Sequence, residues 1–337
     1  MGWNLLDSIM APQLTEKQDF YYHAPSQAWR TCSARGAVRV LAGPDFAQMQ
    51  VVKYYDHLAQ TYGRDFPNIR EILQYIPLFH DGPSHKRLRR QMAVWLRHVS
   101  NDLADFEDET VAVFAEKLSQ PGEVDLVSEI IKPLIGRLSF AMTGLDYIEG
   151  LAAISGGHNT LKVTRMIEIG IGQLFVMAQA RFPEDDAETR GIRVALALVG
   201  AEPLGATLLA SFMALMENTS GEPIAGLGWR THFEATALQI IPRACKHQPV
   251  DLGGEANAVD WVEVDLTRFL ADEGASPNHI FGAGNHICIG RGVSLSLWGR
   301  IAAEMQKNRM RVRFISAAPG KDRFLNFPSS FKIEVMK

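Results

Sequence analysis

Glycines crowd the segment that contains Cys288 and restrict how it can fold. Gly282 and Gly284 precede the cysteine and Gly290 follows it, so the backbone here can adopt angles that are closed to other residues. A helical pattern of apolar residues starts near Gly290 and runs to about residue 307. Free amide N–H groups and the helix dipole would stabilise a thiolate at the start of that helix. The segment therefore predicts a thiolate held toward a metal; the alternative is an ordinary buried cysteine beside a turn.

The composition places any function in local sites rather than in overall charge. The chain has 337 residues, 47% of them hydrophobic, with 34 basic and 38 acidic residues and a net charge of -4. This balance gives no electrostatic footprint for nucleic acid or for an anionic membrane. The first twenty residues lack a basic start followed by a long apolar stretch, which predicts a cytoplasmic protein with no membrane segment. Cys32, Cys245 and Cys288 lie far apart and form no CxxC pair, which argues against a disulfide framework or a structural zinc site.

The pattern along the chain predicts a mostly α fold with a small β portion. Residues 27–52 have the alternating and β-branched character of short strands around a turn. Apolar residues recur at three- and four-residue spacing in the central part, and the carboxy-terminal part mixes helical and strand-like segments. The predicted helices are 84–99, 102–118, 123–143, 158–181, 186–217, 231–241 and 290–307, and the predicted strands are PVDLGG, WVEVDL, RVRFI and FKIEVM. No internal repeat or long linker divides the chain, so residues 1–337 are predicted to form a single domain.

Four residues stand at fixed distances from Cys288: Phe281 seven residues before it, Gly282 six before, His286 two before, and Gly290 two after. This spacing closely resembles the haem-binding loop of the cytochrome P-450 superfamily. The resemblance implies a shortened cytochrome P-450-like fold and a single haem-binding domain over 1–337. It also implies haem b (iron protoporphyrin IX), held by the axial thiolate of Cys288 and surrounded by the other four residues.

A second constellation, at residues 79–90, combines a turn with a basic helix. Ser84 is the predicted N-cap, and His85 and Arg89 are four residues apart and share a helix face. Two such groups can bind a pair of carboxylates, although a solvated basic surface is the alternative. The resemblance implies that His85 and Arg89 contact the haem propionates, with Arg243 and His286 as further candidates.

Glu202 is an acid within the apolar helical stretch 196–207, where an unpaired charge would be costly to bury. The structural alternative is that Glu202 lies exposed at a helix bend or pairs with an arginine. Residues 199–202 are similar to the family's distal A-G-x-[D/E]-T pattern, which implies that Glu202 relays protons. Pro203 takes the place of the alcohol, and Thr207, one turn later, replaces it only in part. This departure leaves peroxide chemistry, a dehydration or a rearrangement open for Glu202.

The family's E-x-x-R ion pair is also altered in this chain. Glu234 is its nearest acid, no arginine follows three residues later, and Gln239 and Arg243 are the candidate substitutes. The segment between Glu234 and Cys288 is shorter than the family's pattern implies.

The resemblance implies a haem-thiolate oxidoreductase, either a monooxygenase or a peroxide-using oxidase, that acts on a small organic molecule in specialised biosynthesis. It further implies a monomer that receives electrons from a separate ferredoxin or flavodoxin-type donor when oxygen is the oxidant. One alternative is a non-oxidative haem enzyme, a dehydratase, isomerase or cyclase, with Glu202 as acid or base. Another is a degenerate haem-binding or sensor protein without catalysis. An acidic cluster at residues 184–186 could hold a metal, but a helix start that complements the dipole is the stronger interpretation.

Overall fold

A computed structural model describes most of the chain. The described residues are 19–24, 28–49, 51–156, 160–218, 238, 240–252, 256–257, 261–271, 276–318 and 327–336. The chain divides into two compact units. Unit 1 comprises Met1–Met49 and Gln239–Ile287, and unit 2 comprises Gln50–Leu238 and Cys288–Lys337.

Unit 1 contains the larger sheet. Its five strands lie in the order β1-β2-β8-β5-β3, with β2 and β8 parallel and the other neighbouring pairs antiparallel. A further pair, β6 and β7, is antiparallel. The strands are β1 (Phe20–His23), β2 (Ala28–Thr31), β3 (Phe46–Ala47), β5 (Ile240–Cys245), β6 (Val250–Asp251), β7 (Ala256–Asn257) and β8 (Trp261–Asp265). Its helices are α1 (Ala34–Ala42) and α10 (Leu266–Ala271), followed by two 3-10 turns at Pro277–Phe281 and Gly284–His286.

The prediction of short strands around a turn over 27–52 was wrong for residues 34–42, which form α1, and for residues 51–52, which begin the next helix. The Ser33 hydroxyl caps α1 by accepting a hydrogen bond from the Gly36 amide. Ala37, Val40 and Leu41 then fall at three- and four-residue spacing and are buried on one face. The β-branched valines suggested strands, but the cap and the helical period decide the local structure.

Unit 2 is helical with one small sheet. The sheet has the order β4-β10-β9 and is antiparallel, which confirms the predicted pair of carboxy-terminal strands. Its strands are β4 (Gly122–Asp125), β9 (Arg311–Ala318) and β10 (Ser330–Met336). The helices are α2 (Val51–Tyr62), α3 (Pro67–Leu73), α4 (Gly82–His98), α5 (Ser100–Ser119), α6 (Lys132–Thr143, preceded by a π-helical turn at Val127–Ile131), α7 (Leu161–Arg181), α8 (Ala187–Val199), α9 (Ala201–Asn218) and α11 (Arg291–Lys307). Of the predicted helix 231–241, residues 240–241 begin strand β5 and residues 231–237 and 239 lie outside the described residues.

Aromatic side chains join three helices in the core of unit 2. Phe114 of α5 stacks on Phe212 of α9 with ring centroids 5.6 Å apart. Phe212 in turn meets the edge of Trp298 of α11 at 5.2 Å. All three rings are fully buried. Aromatic pairs in these geometries add to the stabilisation from burial, so this cluster fixes α11, the helix that follows Cys288, against α5 and α9.

Helices α8 and α9 form one long apolar stretch that is interrupted at Gly200. Pro203 has no amide N–H to donate to the carbonyl four residues earlier, which favours a break at this point. Among the described residues, Ala187–Met216 is the one helical stretch long and apolar enough to cross a membrane, and 72% of its most apolar window is buried inside the protein. That burial identifies α8 and α9 as core helices.

Gly205 allows α9 to cross α6 closely. A Cβ atom at residue 205 would lie 2.4 Å from Cγ1 of Ile135, which is closer than real Cβ contacts. The absence of a side chain therefore sets the separation of the two helices.

Candidate functional site

Cys288 lies in a turn two residues before the cap of α11, as the sequence predicted. The Gly290 and Arg291 amides donate hydrogen bonds to its sulfur. The residue as a whole is exposed to solvent, although many protein atoms surround its thiol group. That enclosure raises the pKa of Cys288, and the two amide donors and the charge of Arg89 act in the opposite direction. The position therefore combines limited solvation with donors that favour the thiolate.

The basic helix α4 carries His85 and Arg89. The predicted Ser84 cap was wrong, because α4 begins at Gly82 with Asp81 at the cap position and Pro83 in the first turn, where its missing amide costs nothing. His85 is buried, whereas Arg89 is half-buried. Burial and, to a lesser extent, the charge of Arg89 lower the pKa of His85, so its imidazole is neutral at neutral pH. The charge of Arg89 also acts on the Cys288 thiol. Arg89 therefore interacts electrostatically with both His85 and Cys288.

Unit 1 carries the remaining predicted cofactor residues. Phe281 ends a 3-10 turn, and Gly282 follows with a φ of 80° and donates its amide to the His279 carbonyl at 2.9 Å. His286 ends the next 3-10 turn and is half-buried. Arg243 is buried in β5, opposite Val262 of β8. All four residues belong to unit 1.

Gly284 serves the packing of unit 1. Its φ of 69° lies in the left-handed region, and a Cβ at this position would lie 2.8 Å from both Cα and Cβ of Ala42 at the end of α1. The close approach of the loop to α1 requires glycine here.

Glu202 and Thr207 lie on different faces of α9. They are five residues apart, which is about 140° around a helix axis. Glu202 is buried, whereas Pro203 and Thr207, one turn apart on the other face, are half-buried. The structure therefore does not bring the predicted acid and the replacement alcohol together. The alternative in which Glu202 is exposed at a bend is also wrong.

Tyr147 donates a hydrogen bond to Glu202, and sequence reasoning missed this contact. The tyrosine follows α6, and its hydroxyl donates to the Glu202 carboxylate while accepting a hydrogen bond from the Gly150 amide. Burial and the negative charge of Glu202 raise the pKa of Tyr147 far above its ordinary value. The hydroxyl thus stays protonated and remains a donor. Nothing in the spacing of residues 147 and 202 signals this pair.

The acidic cluster at 184–186 has structural roles. Asp186 caps α8 by accepting the Thr189 amide at 2.7 Å, and this hydrogen bond lowers the pKa of Asp186. Asp185 pairs with the buried Arg193 at 2.8 Å. These contacts confirm the interpretation of the cluster as the start of a helix. Glu234 and Gln239, the candidates in the altered E-x-x-R pattern, lie outside the described residues.

This chain is similar to known proteins in structure and not detectably in sequence. No protein-family model matches the chain, and a search of curated proteins likewise found no significant match. The structure of P450BioI in complex with an acyl carrier protein ligated to hexadec-9Z-enoic acid is 15% identical, with a TM-score of 0.71 over 95% of this chain and 96% of that one. A thermophilic cytochrome P450 from Sulfolobus tokodaii is 17% identical, with a TM-score of 0.67 over 99% of this chain and 100% of that one.

The chain has a cytochrome P450 fold. A third P450 structure, that of RauA with a biosynthetic intermediate of aurachin RE, is 14% identical, with a TM-score of 0.63 over 95% of this chain and 93% of that one. The mostly α architecture with small sheets, predicted from the sequence, is therefore confirmed as a P450 fold.

The residues around Cys288 in unit 2 fit a site that would hold haem through a cysteine thiolate. An anionic sulfur ligand needs donors and a nearby positive charge, and Cys288 has two amide donors and Arg89. The donor set therefore suits a P450 fold that holds haem through this cysteine.

Proposed function

We propose that this protein is a haem-thiolate oxidoreductase of the cytochrome P450 type that acts on a small organic molecule in specialised biosynthesis. One observation carries the proposal: within a P450 fold, the single cysteine beside the start of α11 receives hydrogen bonds from the amides of two following residues. Haem held by this thiolate would supply the oxidative chemistry, because a thiolate ligand favours O–O cleavage. We further propose that residues 1–337 act as one haem-binding domain.

The other predicted residues have binding and proton-handling roles in this proposal. His85 and Arg89 of unit 2 bind the haem propionates, and Arg89 also favours the thiolate of Cys288. On the family resemblance, we also propose cofactor-binding roles for Arg243, Phe281, Gly282 and His286 of unit 1 and for Gly290 of unit 2. Glu202 holds or moves a proton at its carboxylate, and Thr207 lines the less buried face of α9.

The ligands of two similar structures support a small-molecule substrate, free or carried by a protein. P450BioI was solved with an acylated acyl carrier protein, and RauA with a biosynthetic intermediate. We propose that this chain acts as a soluble cytoplasmic monomer. With oxygen as oxidant, a ferredoxin or flavodoxin-type donor would deliver the electrons; with peroxide, none is required.

A redox-neutral haem enzyme is the second candidate, and residues 202 and 203 favour it. Pro203 supplies no hydroxyl at the alcohol position, while Glu202 is buried and held by Tyr147. A buried, oriented carboxylate can act as acid or base in a dehydration, isomerisation or cyclisation without an external oxidant. Glu202 would then act directly on substrate.

A three-arm turnover experiment tests the proposal. Haem-loaded protein is incubated with a panel of small apolar compounds under three conditions: oxygen with a ferredoxin and its reductase, peroxide alone, and neither oxidant nor reductant under anaerobic conditions. Product in either of the first two arms supports an oxidoreductase, and product in the third alone supports the redox-neutral candidate. Cys288→Ala should abolish oxidation, whereas the matched control Cys245→Ala should retain it. Haem uptake with no product in any arm would contradict both candidates.

A further inference from the structure

We propose that Tyr147 is a positioning residue that orients the Glu202 carboxylate through a hydrogen bond and keeps it ionised within the core of unit 2. The inference rests on the proposed function, in which Glu202 handles protons. It goes beyond that proposal because it assigns the partner of the acid to a loop that no sequence pattern connects with α9.

The contact itself defines the direction of the hydrogen bond. Glu202 is buried, and the Tyr147 hydroxyl donates to its carboxylate. The Gly150 amide donates to the same hydroxyl oxygen, which orients the hydroxyl proton toward Glu202. A donor aimed at a buried carboxylate stabilises its charged form.

The loop that presents Tyr147 is held at several points. The Thr143 hydroxyl accepts the Leu145 amide at 3.1 Å, and the Ser139 hydroxyl donates to the Leu145 carbonyl at 3.2 Å. Arg181 of α7 donates to the Gly144 carbonyl at 2.7 Å and pairs with Asp146 at 2.6 Å. Tyr147 therefore comes from a fixed segment, as preorganisation of a functional carboxylate requires.

The electrostatics indicate that Tyr147 holds Glu202 in position and does not relay protons. Burial and the nearby carboxylates of Glu202 and Glu149 raise the pKa of Tyr147 strongly, which opposes ionisation of the hydroxyl. A group that does not ionise cannot pass protons through a phenolate, but it can hold its neighbour. Glu149 itself is exposed and pairs with Lys132 at 2.9 Å.

The test follows the titration of Glu202 directly. Protein labelled with ¹³C at the glutamate carboxyls is titrated by NMR, and the Glu202 signal is identified as the one missing from Glu202→Gln. In Tyr147→Phe the midpoint of this signal should rise by about one to two pH units, because a hydrogen bond to a charged group is lost. The matched control is Tyr55→Phe, which removes another buried tyrosine hydroxyl, one that donates to the Ile154 carbonyl at 3.3 Å. The control should leave the Glu202 midpoint unchanged.

Two outcomes separate this inference from the proposed function. An unchanged Glu202 midpoint in Tyr147→Phe would overturn the positioning role, whatever the turnover of the protein. A raised midpoint in a protein that shows no turnover would retain the positioning role and contradict only the proposed function. In an active enzyme, Tyr147→Phe should also shift the pH profile of kcat upward, and this shift should be absent in the Glu202→Gln background. A double mutant that still shows the shift would assign the effect of Tyr147 to another group.

Discussion

Removing the charge of Arg193 should destabilise unit 2 by about 3–5 kcal/mol, the cost of breaking a buried ion pair from one side. Arg193 of α8 donates to Asp185 at 2.8 Å and to the carbonyl of Thr143 at 2.6 Å. Its guanidinium also lies 3.4 Å from the ring centroid of Phe182 and 4.6 Å from that of Trp95. The paired side chains of Arg193 and Asp185 are only 9% and 11% exposed, so solvent screens the pair weakly. Arg193→Met would leave a buried carboxylate and a backbone carbonyl without this donor.

Loss of Arg193 should also affect the candidate site, because Arg193 connects the helices that carry the residues of that site. The contacts join α8 to the end of α6, where the Tyr147 loop begins, and to α4, the helix of His85 and Arg89. Loss of Arg193 should therefore weaken haem retention as well as stability.

Urea unfolding of four variants measures the effect. The free energy of unfolding is compared for Arg193→Met, Asp185→Asn, the double variant, and Lys117→Met as a control. Lys117 pairs with Glu129 at 3.0 Å, but the two side chains are 42% and 39% exposed, so its loss should cost less than about 1 kcal/mol. The double variant should cost less than the sum of the two single variants. Strict additivity, or a loss for Arg193→Met no larger than that for Lys117→Met, would refute the reasoning.

Three further predictions concern the helix crossing, pH and the distal acid. Gly205→Ala should lower the free energy of unfolding by about 1–3 kcal/mol, since its Cβ would lie 2.4 Å from Cγ1 of Ile135. In the control Gly136→Ala on α6, the added Cβ would meet no neighbouring atom within 4 Å, so the free energy of unfolding should not fall. Equal losses in the two variants would contradict the overpacking argument. Burial and the charge of Arg89 lower the pKa of His85, so the unfolded chain takes up the proton first and stability should fall as pH drops below about 6.5. Urea unfolding of the haem-free protein between pH 5 and pH 7 should show a smaller decline for His85→Gln; identical slopes would contradict this. Glu202→Gln should leave haem uptake, followed by absorption, unchanged while turnover falls, and full activity in this variant would remove the proton role.

Regular helices and the turn at Cys288 were predictable because their signals are local. The helices of unit 2 have long apolar periods, and the turn at Cys288 is marked by glycines and a following helix. Local signals also misled: the valines of residues 34–42 resembled a strand, although Ser33 caps a helix there. At α4, Asp81 and Pro83 start the helix ahead of the predicted Ser84.

The surroundings of the distal acid could not be predicted, because they depend on contacts between distant parts of the chain. Exposure at a bend or pairing with an arginine were the structural alternatives for Glu202, whereas the structure buries Glu202 and gives it a hydrogen bond from a tyrosine hydroxyl in the loop after α6. Arg193, the buried arginine of α8, is instead engaged by Asp185 and Thr143. The packing of α6, α8 and α9 therefore decides which hydrogen-bond partners Glu202 and Arg193 have.

Ligation of haem by the Cys288 thiolate is tested most directly by the absorption spectrum of the reduced, haem-loaded protein under carbon monoxide. The account predicts a strongly red-shifted Soret band in the wild type and in Cys245→Ala, and its loss in Cys288→Ala. An unshifted band in the wild type, or a red-shifted band that survives in Cys288→Ala, would contradict it.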